Sequence, residues 1–498
     1  MQKHDPESGS RPDIEGVRHV IAEHFPDLWM AVDLGLATAA TLLLAENANP
    51  TAVILVGGPG AGKTTVATMF ENAKVRLTSG KPLEPLCYRS DKFTPAAFVS
   101  QAANRTGREL ERVDLLPKIK DKVLLTPELA PIFRGEEDEL TKTFSIVTRV
   151  LDGQGLVTDS GTHGHRGYAG CHGFAWIGCT TPLPERAWRV MGQLGSRLFF
   201  LLLDTSRSAS VEDLLTLSGG TPYATRLKES AAAVEAFLTG LFDRHDGVHS
   251  HSWDASRDDE TARLWLARCA ALLAAMRSVP IEERDDGRRR IYRPGDGEAP
   301  YRALAVLTNV ARGHAIVHGR DRVTMDDLPL IVQATASSMP TDPARLLKGL
   351  VTSDTDALRV AQVQALLGAQ HPESARDRMR YVHALEVMEF SEDGPGKPAH
   401  LLFRAEWAWC RSPEFRALLR GGAPPVTGPG MCVSAKPITL QGPCVPPTTE
   451  NLVEHPGERE EERGSPHTPD GVTGARCARP PGPDLPTGTG VSAQGPHA

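Results

Sequence analysis

From Thr51 to about residue 204, short apolar runs alternate with stretches of helical period. Thr51-Ala-Val-Ile-Leu-Val56 is a β-branched run and reads as a buried strand. Lys122 to Thr126, Leu156 to Thr158, Phe174 to Gly178 and Leu198 to Leu203 read as further strands. This alternation predicts an α/β fold, a mostly parallel sheet flanked by helices. Residues 14–48 read as helices ending in the apolar stretch LGLATAATLLLAENAN, which runs straight into the first strand. Beyond Asp204 the pattern predicts helices only, among them Ala231 to Phe242, Thr261 to Met276, Tyr301 to Val317 and Met325 to Ser337. Residues 354–410 then read as helix, turn, helix and two short strands. From about 421 the chain is rich in Pro, Gly and Thr with a charged block EREEERG, too poor in apolar surface to offset its own ordering. The expected organisation is a flexible N-terminus (1–13), a sheet domain (14–205), a helical domain (206–348), a small helix-and-ribbon domain (349–420) and a disordered tail (421–498).

A chain of 498 residues fits two or three domains. Its net charge of −7 and pI near 6.2 exclude a uniformly basic, nucleic-acid-coating surface and leave room only for a local basic face. Eight cysteines without a CxxC pair fit neither a disulfide framework nor a zinc ribbon, so a reducing, cytoplasmic setting is expected. The polar start MQKHDPESGSRPD has no apolar core of a leader, and the longest apolar runs are too short to span a bilayer. A soluble protein with no membrane partner is expected.

Directly after the first strand stands Gly57-Gly58-Pro59-Gly60-Ala61-Gly62-Lys63-Thr64-Thr65, which satisfies GxxxxGK[ST] between a strand and a helix. Glycines let backbone N–H groups close on phosphate oxygens, and the helix that follows offers its positive end. Lys63 is placed for the β and γ phosphates and Thr64 for Mg²⁺. With no NKxD-type guanine-reading sequence in the chain, ATP is favoured over GTP.

Hydrolysis needs carboxylates to hold the metal shell and to orient water. Lys122-Val-Leu-Leu-Thr-Pro127-Glu128 puts Glu128 in the water-directing place, but Pro127 stands where a metal-holding Asp is expected. Asp91, Asp159 and Asp204 are rival acids after apolar runs, and Glu128 also reads as a plain helix-start acid. The strand from Phe174 leads to Thr180 and Thr181, and Gly195-Ser196-Arg197 precedes the next strand. This ordered set resembles the AAA+ ATPases, and within them the branch that includes the minichromosome maintenance helicases. The resemblance covers about residues 20–345 and implies a sensor role for Thr180 or Thr181. It implies an arginine finger at Arg197 acting on a neighbour's ATP, hence a homo-oligomeric ring, with Arg186 and Arg189 as spare candidates. Arg302, in Ala299-Pro-Tyr-Arg302, stands where the family has its second sensor arginine, which makes 206–348 a helical lid. Arg322-Val-Thr-Met-Asp-Asp-Leu328 matches a turn between lid helices, with Thr324 as N-cap.

The segment GQGLVTDSGTHGHRGYAGCHG has hairpin chemistry, and in the resembling helicases a hairpin here touches DNA. His163, His165, Arg166 and Tyr168 are the candidates, while an ordinary solvated loop or a metal set of His163, His165, Cys171 and His172 are alternative readings. Residues 358–387 with the turn DGPGKP resemble a winged helix whose second helix carries Ser374, Arg376, Asp377 and Arg380, with Lys397 in the wing. Arg376, Arg380, Lys397 and Arg166 are then the expected DNA contacts, against a winged helix that binds only protein. Three functions follow: an ATP-hydrolysing AAA+ motor on DNA, an ATP-gated DNA-binding regulator with little turnover, or a P-loop kinase or toxin-like phosphotransferase.

Overall fold

The computed structural model describes residues 13–421 except 48, 101–106, 161–163, 196, 204–210, 286–288 and 393–397. The expected tail beyond Gly421, the segment 1–12, His163, Ser196, Asp204 and Lys397 lie outside the described residues. The described residues fall within one compact unit, Met1–Ile438.

Five parallel strands form the central sheet, in the spatial order Cys87–Arg89, Val123–Thr126, Ala175–Thr180, Thr51–Val56, Leu198–Leu202. Thr51–Val56 is buried at all six positions and paired on both sides, Val56 lying opposite Thr180 and Leu202. Burial on two faces is what a continuous apolar run rather than an alternating one encodes. Val53 and Leu55 pack into one core and Ala52, Ile54 and Val56 into another, so the strand serves both layers. The second core is closed by helices Glu137–Val150 and Glu185–Leu194.

On the first face lies helix Trp29–Ala40, buried at every residue from Ala31 to Ala40 and apolar nearly all round, as a helix sandwiched between sheet and further helices must be. Helix Tyr301–Val317 crosses it so closely that a Cβ on Gly313 would stand 2.2 Å from the Ala37 carbonyl oxygen. The exposed backbone edge of Leu198–Leu202 is covered as well. Ser338 Oγ accepts from Phe200 N (2.8 Å), and the buried Arg277 donates to Leu198 O (2.8 Å) and Ser338 O (2.8 Å).

Helices Tyr223–Arg244, Glu260–Arg277 and Tyr301–Val317 contain the expected ones, and the fourth begins at Leu328 rather than Met325, after a 3-10 turn Met325–Asp327 that Thr324 caps with a reciprocal bond from its own N–H to Asp327. The expectation of helices alone after Asp204 is corrected by an antiparallel pair, Ile281–Asp285 with Arg289–Arg293. Each strand carries few apolar residues and is held by cross-strand charge pairs such as Arg293–Glu283 (3.0 Å). The following region runs as helix Thr341–Thr352, strand Ala357–Arg359, helices Val360–Leu367 and Pro372–His383, then strands Met388–Ser391 and His400–Phe403. The three strands form an antiparallel sheet with His400–Phe403 in the middle. No described helix is long and apolar enough to cross a membrane.

Gly313→Ala forces apart two helices whose backbones touch. We expect it to lower unfolding free energy by about 1–3 kcal/mol, read from the midpoint of urea unfolding.

Candidate nucleotide site

The carboxyl ends of parallel strands leave their last carbonyls and the loops beyond them on one edge of a sheet, where ligands bind in open α/β folds. At that edge the buried Val56 delivers the chain into Gly57–Gly62. Gly60 (φ 80°) and Gly62 (φ 81°) adopt the left-handed conformation that side chains disfavour. Gly62 has a second reason to be glycine, since a Cβ there would lie 2.7 Å from a Leu28 methyl. At Gly58 and Gly60 a Cβ would meet nothing within 4 Å, so the concave side of the loop is open. Helix Lys63–Glu71 begins immediately after, with its free N–H groups and positive end toward the loop. Lys63 Nζ donates to Gly57 O (2.8 Å) and Gly58 O (2.7 Å), which holds the ammonium over the loop. Thr64 is exposed, its hydroxyl free to meet a metal-bound phosphate. This cradle of backbone donors, an ammonium and a hydroxyl fits a nucleotide polyphosphate with Mg²⁺.

Strand Ala175–Thr180 lies between the phosphate-loop strand and Val123–Thr126, so its end separates Lys63 from Glu128. Gly57 N donates to Thr180 O (3.2 Å), and the buried Thr180 hydroxyl has no hydrogen-bond partner within the protein. Gly178 in this strand makes room for Leu129, whose methyl would stand 2.4 Å from a Cβ there. Cys179 faces the loop helix and donates to Lys63 O (3.3 Å). Burial pushes its thiol pKa up to about 12, with Lys63 opposing and Glu128 adding to the rise, so it serves as packing rather than as a nucleophile. Glu128 is exposed, and its Oε1 accepts from Ala130 N (2.8 Å), capping the short turn Ala130–Phe133. The capping bond occupies Oε1 alone and orients the carboxylate, so the helix-start role and the water-directing role are compatible.

Two residues at this edge were missed in the sequence. Arg134 donates to Thr181 Oγ1 (3.3 Å), bringing a guanidinium to the strand end. Tyr223 OH pairs with Thr65 Oγ1 (3.0 Å) and its ring meets Phe25 edge-on at 5.9 Å. Each joins sequence positions too far apart for any local pattern. Arg186 donates to Arg134 O (2.8 Å) and pairs with Glu136, while Arg189 pairs with Glu137.

Arg197 and Arg302 lie elsewhere. Arg197 precedes the first residue of strand Leu198–Leu202, at the sheet edge opposite the loop, about 17–20 Å away by the rise of a five- to six-residue strand. Both guanidiniums share the Asp152 carboxylate, Arg197 Nε at 3.2 Å, and Arg197 also donates to Leu194 O (2.8 Å). Burial and the neighbouring Arg302 charge lower the Arg197 pKa. Within one chain neither side chain meets the phosphate loop.

Of the rival acids, Asp91 is bound to Arg89 (2.8 Å) and Asp159 pairs with His165 (2.9 Å) across the hairpin Gly155–Ser160 with Gly164–Ala169. Tyr168 donates to Asp114 (2.8 Å), which straps the hairpin to the body and withdraws that phenol from the expected DNA contact. Arg166, on the same hairpin, is half-buried. Among the described residues His165, Cys171 and His172 do not form a group of possible metal ligands, and His163, the fourth member of the metal reading, lies outside them. On helix Pro372–His383, Arg376 pairs with Glu373 (3.3 Å), and Arg380 with Glu373 (2.8 Å) and Glu392 (3.3 Å). Arg378 forks onto Glu185 (2.8 and 3.1 Å), which lowers the Glu185 pKa, and Tyr292 donates to Asp377 (3.1 Å). The expected recognition helix thus carries neutralised arginines and rests partly on the chain itself.

Lys63→Ala removes the ammonium while leaving the glycines. We expect nucleotide affinity to fall roughly 10- to 100-fold, measured by fluorescent nucleotide titration, with an unchanged circular dichroism spectrum.

Comparison with known proteins agrees with this site and stops at its borders. No curated protein matches the chain. Residues 37–79 match the family model described as Zeta toxin. The matched span holds the end of helix Trp29–Ala40, the central strand, the loop and the helix that follows, so what the chain shares with that family is the P-loop nucleotide-binding unit.

Proposed function

We propose that the protein binds ATP with Mg²⁺ and hydrolyses it as a homo-oligomer in the manner of AAA+ ATPases. The observation that carries this reading is the interposed strand Ala175–Thr180, whose end lies between the strand that leads into the phosphate loop and the strand that leads to Glu128. An attacking water has to be oriented in line with the leaving oxygen of the terminal phosphate, a task for a positioned base or polar group. Lys63 and the loop N–H groups grip the phosphates, and Thr64 holds Mg²⁺, whose charge screens the phosphate oxygens when bound. Glu128 takes the proton of the attacking water, and Thr180 steadies the loop beside it through the bond from Gly57 N to its carbonyl (3.2 Å). Arg134 approaches the same edge through Thr181 and offers charge within the chain.

Arg197 and Arg302 act, in this reading, on the ATP of a neighbouring copy. Their place supports it: both sit at the edge opposite their own loop, and each would leave its pairing with Asp152 to reach a neighbour's phosphates. The order helix, strand, two helices and two strands in 341–403 supports a winged helix. DNA is not included in the reading, since Arg376 and Arg380 are paired with acids and offer little counterion release. The match to the Zeta toxin model favours a second reading, transfer of the γ phosphate to an acceptor other than water.

Glu128→Gln is expected to cut turnover by about 10²- to 10⁴-fold while ATP still binds. Labelled γ phosphate separates the two readings: release as free phosphate supports hydrolysis, and label on a co-purified acceptor supports transfer. Mixing inactive Lys63→Ala and Arg197→Ala proteins is expected to restore part of the turnover. If Arg197→Ala alone turns over normally, or mixing restores nothing, the action across subunits is wrong.

A further inference from the structure

Away from the phosphate edge, a cluster of buried ligating side chains joins the helix Trp29–Ala40 to the helix Tyr301–Val317. His314 and His318 stand four residues apart, so both rings lie on one helical face, and their centroids are 4.3 Å apart. Opposite them is Asp33. His314 Nε2 is 3.2 Å from one Asp33 oxygen and His318 Nε2 is 3.4 Å from the other, and ligand atoms of the three residues lie within 4.8 Å of one another. Side-chain exposures of 7% for His314, 10% for Asp33 and 18% for His318 make this an interior site with one wetter side. Among the described residues no other such group forms.

We propose that Asp33, His314 and His318 bind one divalent transition-metal ion of the zinc class, with solvent as the fourth ligand on the side of His318. Asp33 turns one oxygen to each ring, and one ligand atom from each residue lies within 4.8 Å of the other two, so a small rotation of the carboxylate gathers the three donors around an ion with bonds of about 2.1 Å. Two imidazoles and one carboxylate are the donor set that suits zinc rather than magnesium or calcium. The surroundings are those a ligating histidine needs. His314 Nδ1 is 2.6 Å from Asp327, a fully buried carboxylate that fixes the tautomer leaving Nε2 for the metal, and Asp327 is itself held by Arg320 and by Thr324 N (2.7 Å). The competing account is a doubly protonated His314 bridging two aspartates. In that account burial works against the ring's charge, but the bonds to Asp327 and Asp33 outweigh it and raise its pKa to about 9. Metal replaces the proton on Nε2 and leaves the one on Nδ1 in place.

The bound ion would clamp the N-terminal helix, whose preceding residue Leu28 backs Gly62 of the loop, to the helical layer. The full chain, stripped with chelator and kept free of nucleotide, is titrated with Co²⁺ and then with Zn²⁺. Expected are one ion per chain, the visible absorption of tetrahedral Co²⁺, its loss on adding Zn²⁺, and a Tm that rises with Zn²⁺. His318→Gln, at the more exposed ligand, is expected to weaken Co²⁺ at least about 10-fold while retaining nucleotide binding. Cys171→Ala, which removes an exposed thiol, is expected to leave the spectrum unchanged. Absence of a one-to-one tetrahedral spectrum overturns the proposal in favour of the protonated bridge. So does a spectrum that survives His318→Gln or disappears with Cys171→Ala.

Discussion

The fold depends on a single strand that has no solvent face. Thr51–Val56 contributes alternate side chains to two cores and pairs with a neighbour on each edge, so neither its register nor its direction has freedom to adjust. The phosphate loop inherits this rigidity. A loop built on left-handed glycines has little side-chain packing of its own beyond Ala61, and its geometry is fixed by the strand end before it, the helix after it, Lys63 across its carbonyls and Leu28 against Gly62. Adding a methyl group at Gly62 would therefore disturb the loop in two ways, through backbone strain and through the clash with Leu28.

What the sequence made legible follows from the same physics. The central strand, its neighbours and the long helices announce themselves because burial on two faces or on one stripe writes a hydrophobic pattern, and the loop announces itself because its chemistry is contiguous. Cys87–Arg89 escaped because three residues at a sheet edge write no pattern. The pair Ile281–Asp285 and Arg289–Arg293 escaped because charge pairs across the strands stand where an apolar face would be. Arg134 and Tyr223 were invisible because their contacts span 47 and 158 residues, and His314 because its partner Asp33 is 281 residues away. The Arg197 motif was visible as a string, but a string carries no information about which sheet edge it will occupy.

That edge matters more than the motif. In a parallel sheet every strand begins on one side and ends on the other, so a residue just before a strand and a loop just after one are kept apart by the whole strand length. Arg197 sits before its strand and Lys63 beyond another, and Arg302 joins Arg197 through Asp152. A site assembled from both edges must be assembled from two molecules, which turns a fixed separation within the chain into a condition on how copies meet. If the arginines have instead a purely structural role, Asp152 is satisfied within the chain and the phosphate edge must stabilise transferred charge with Lys63 and Arg134 alone.

The N-terminal helix ties these parts together in a way its composition conceals. Trp29–Ala40 is so uniformly apolar that it reads as filler, yet it carries Asp33, a charged residue that burial alone would expel. Burial raises the pKa of Asp33, but hydrogen bonds from His314 and His318, with the charge of those rings, outweigh that and bring it to about 2. Leu or Met would fill the space without desolvating a charge, so what Asp33 adds to this greasy helix is the contact with the two histidines rather than packing. Asp33 lies five residues after Leu28, the residue that backs the phosphate loop at Gly62. Whatever stabilises the Asp33 cluster therefore also fixes the support on which the loop rests.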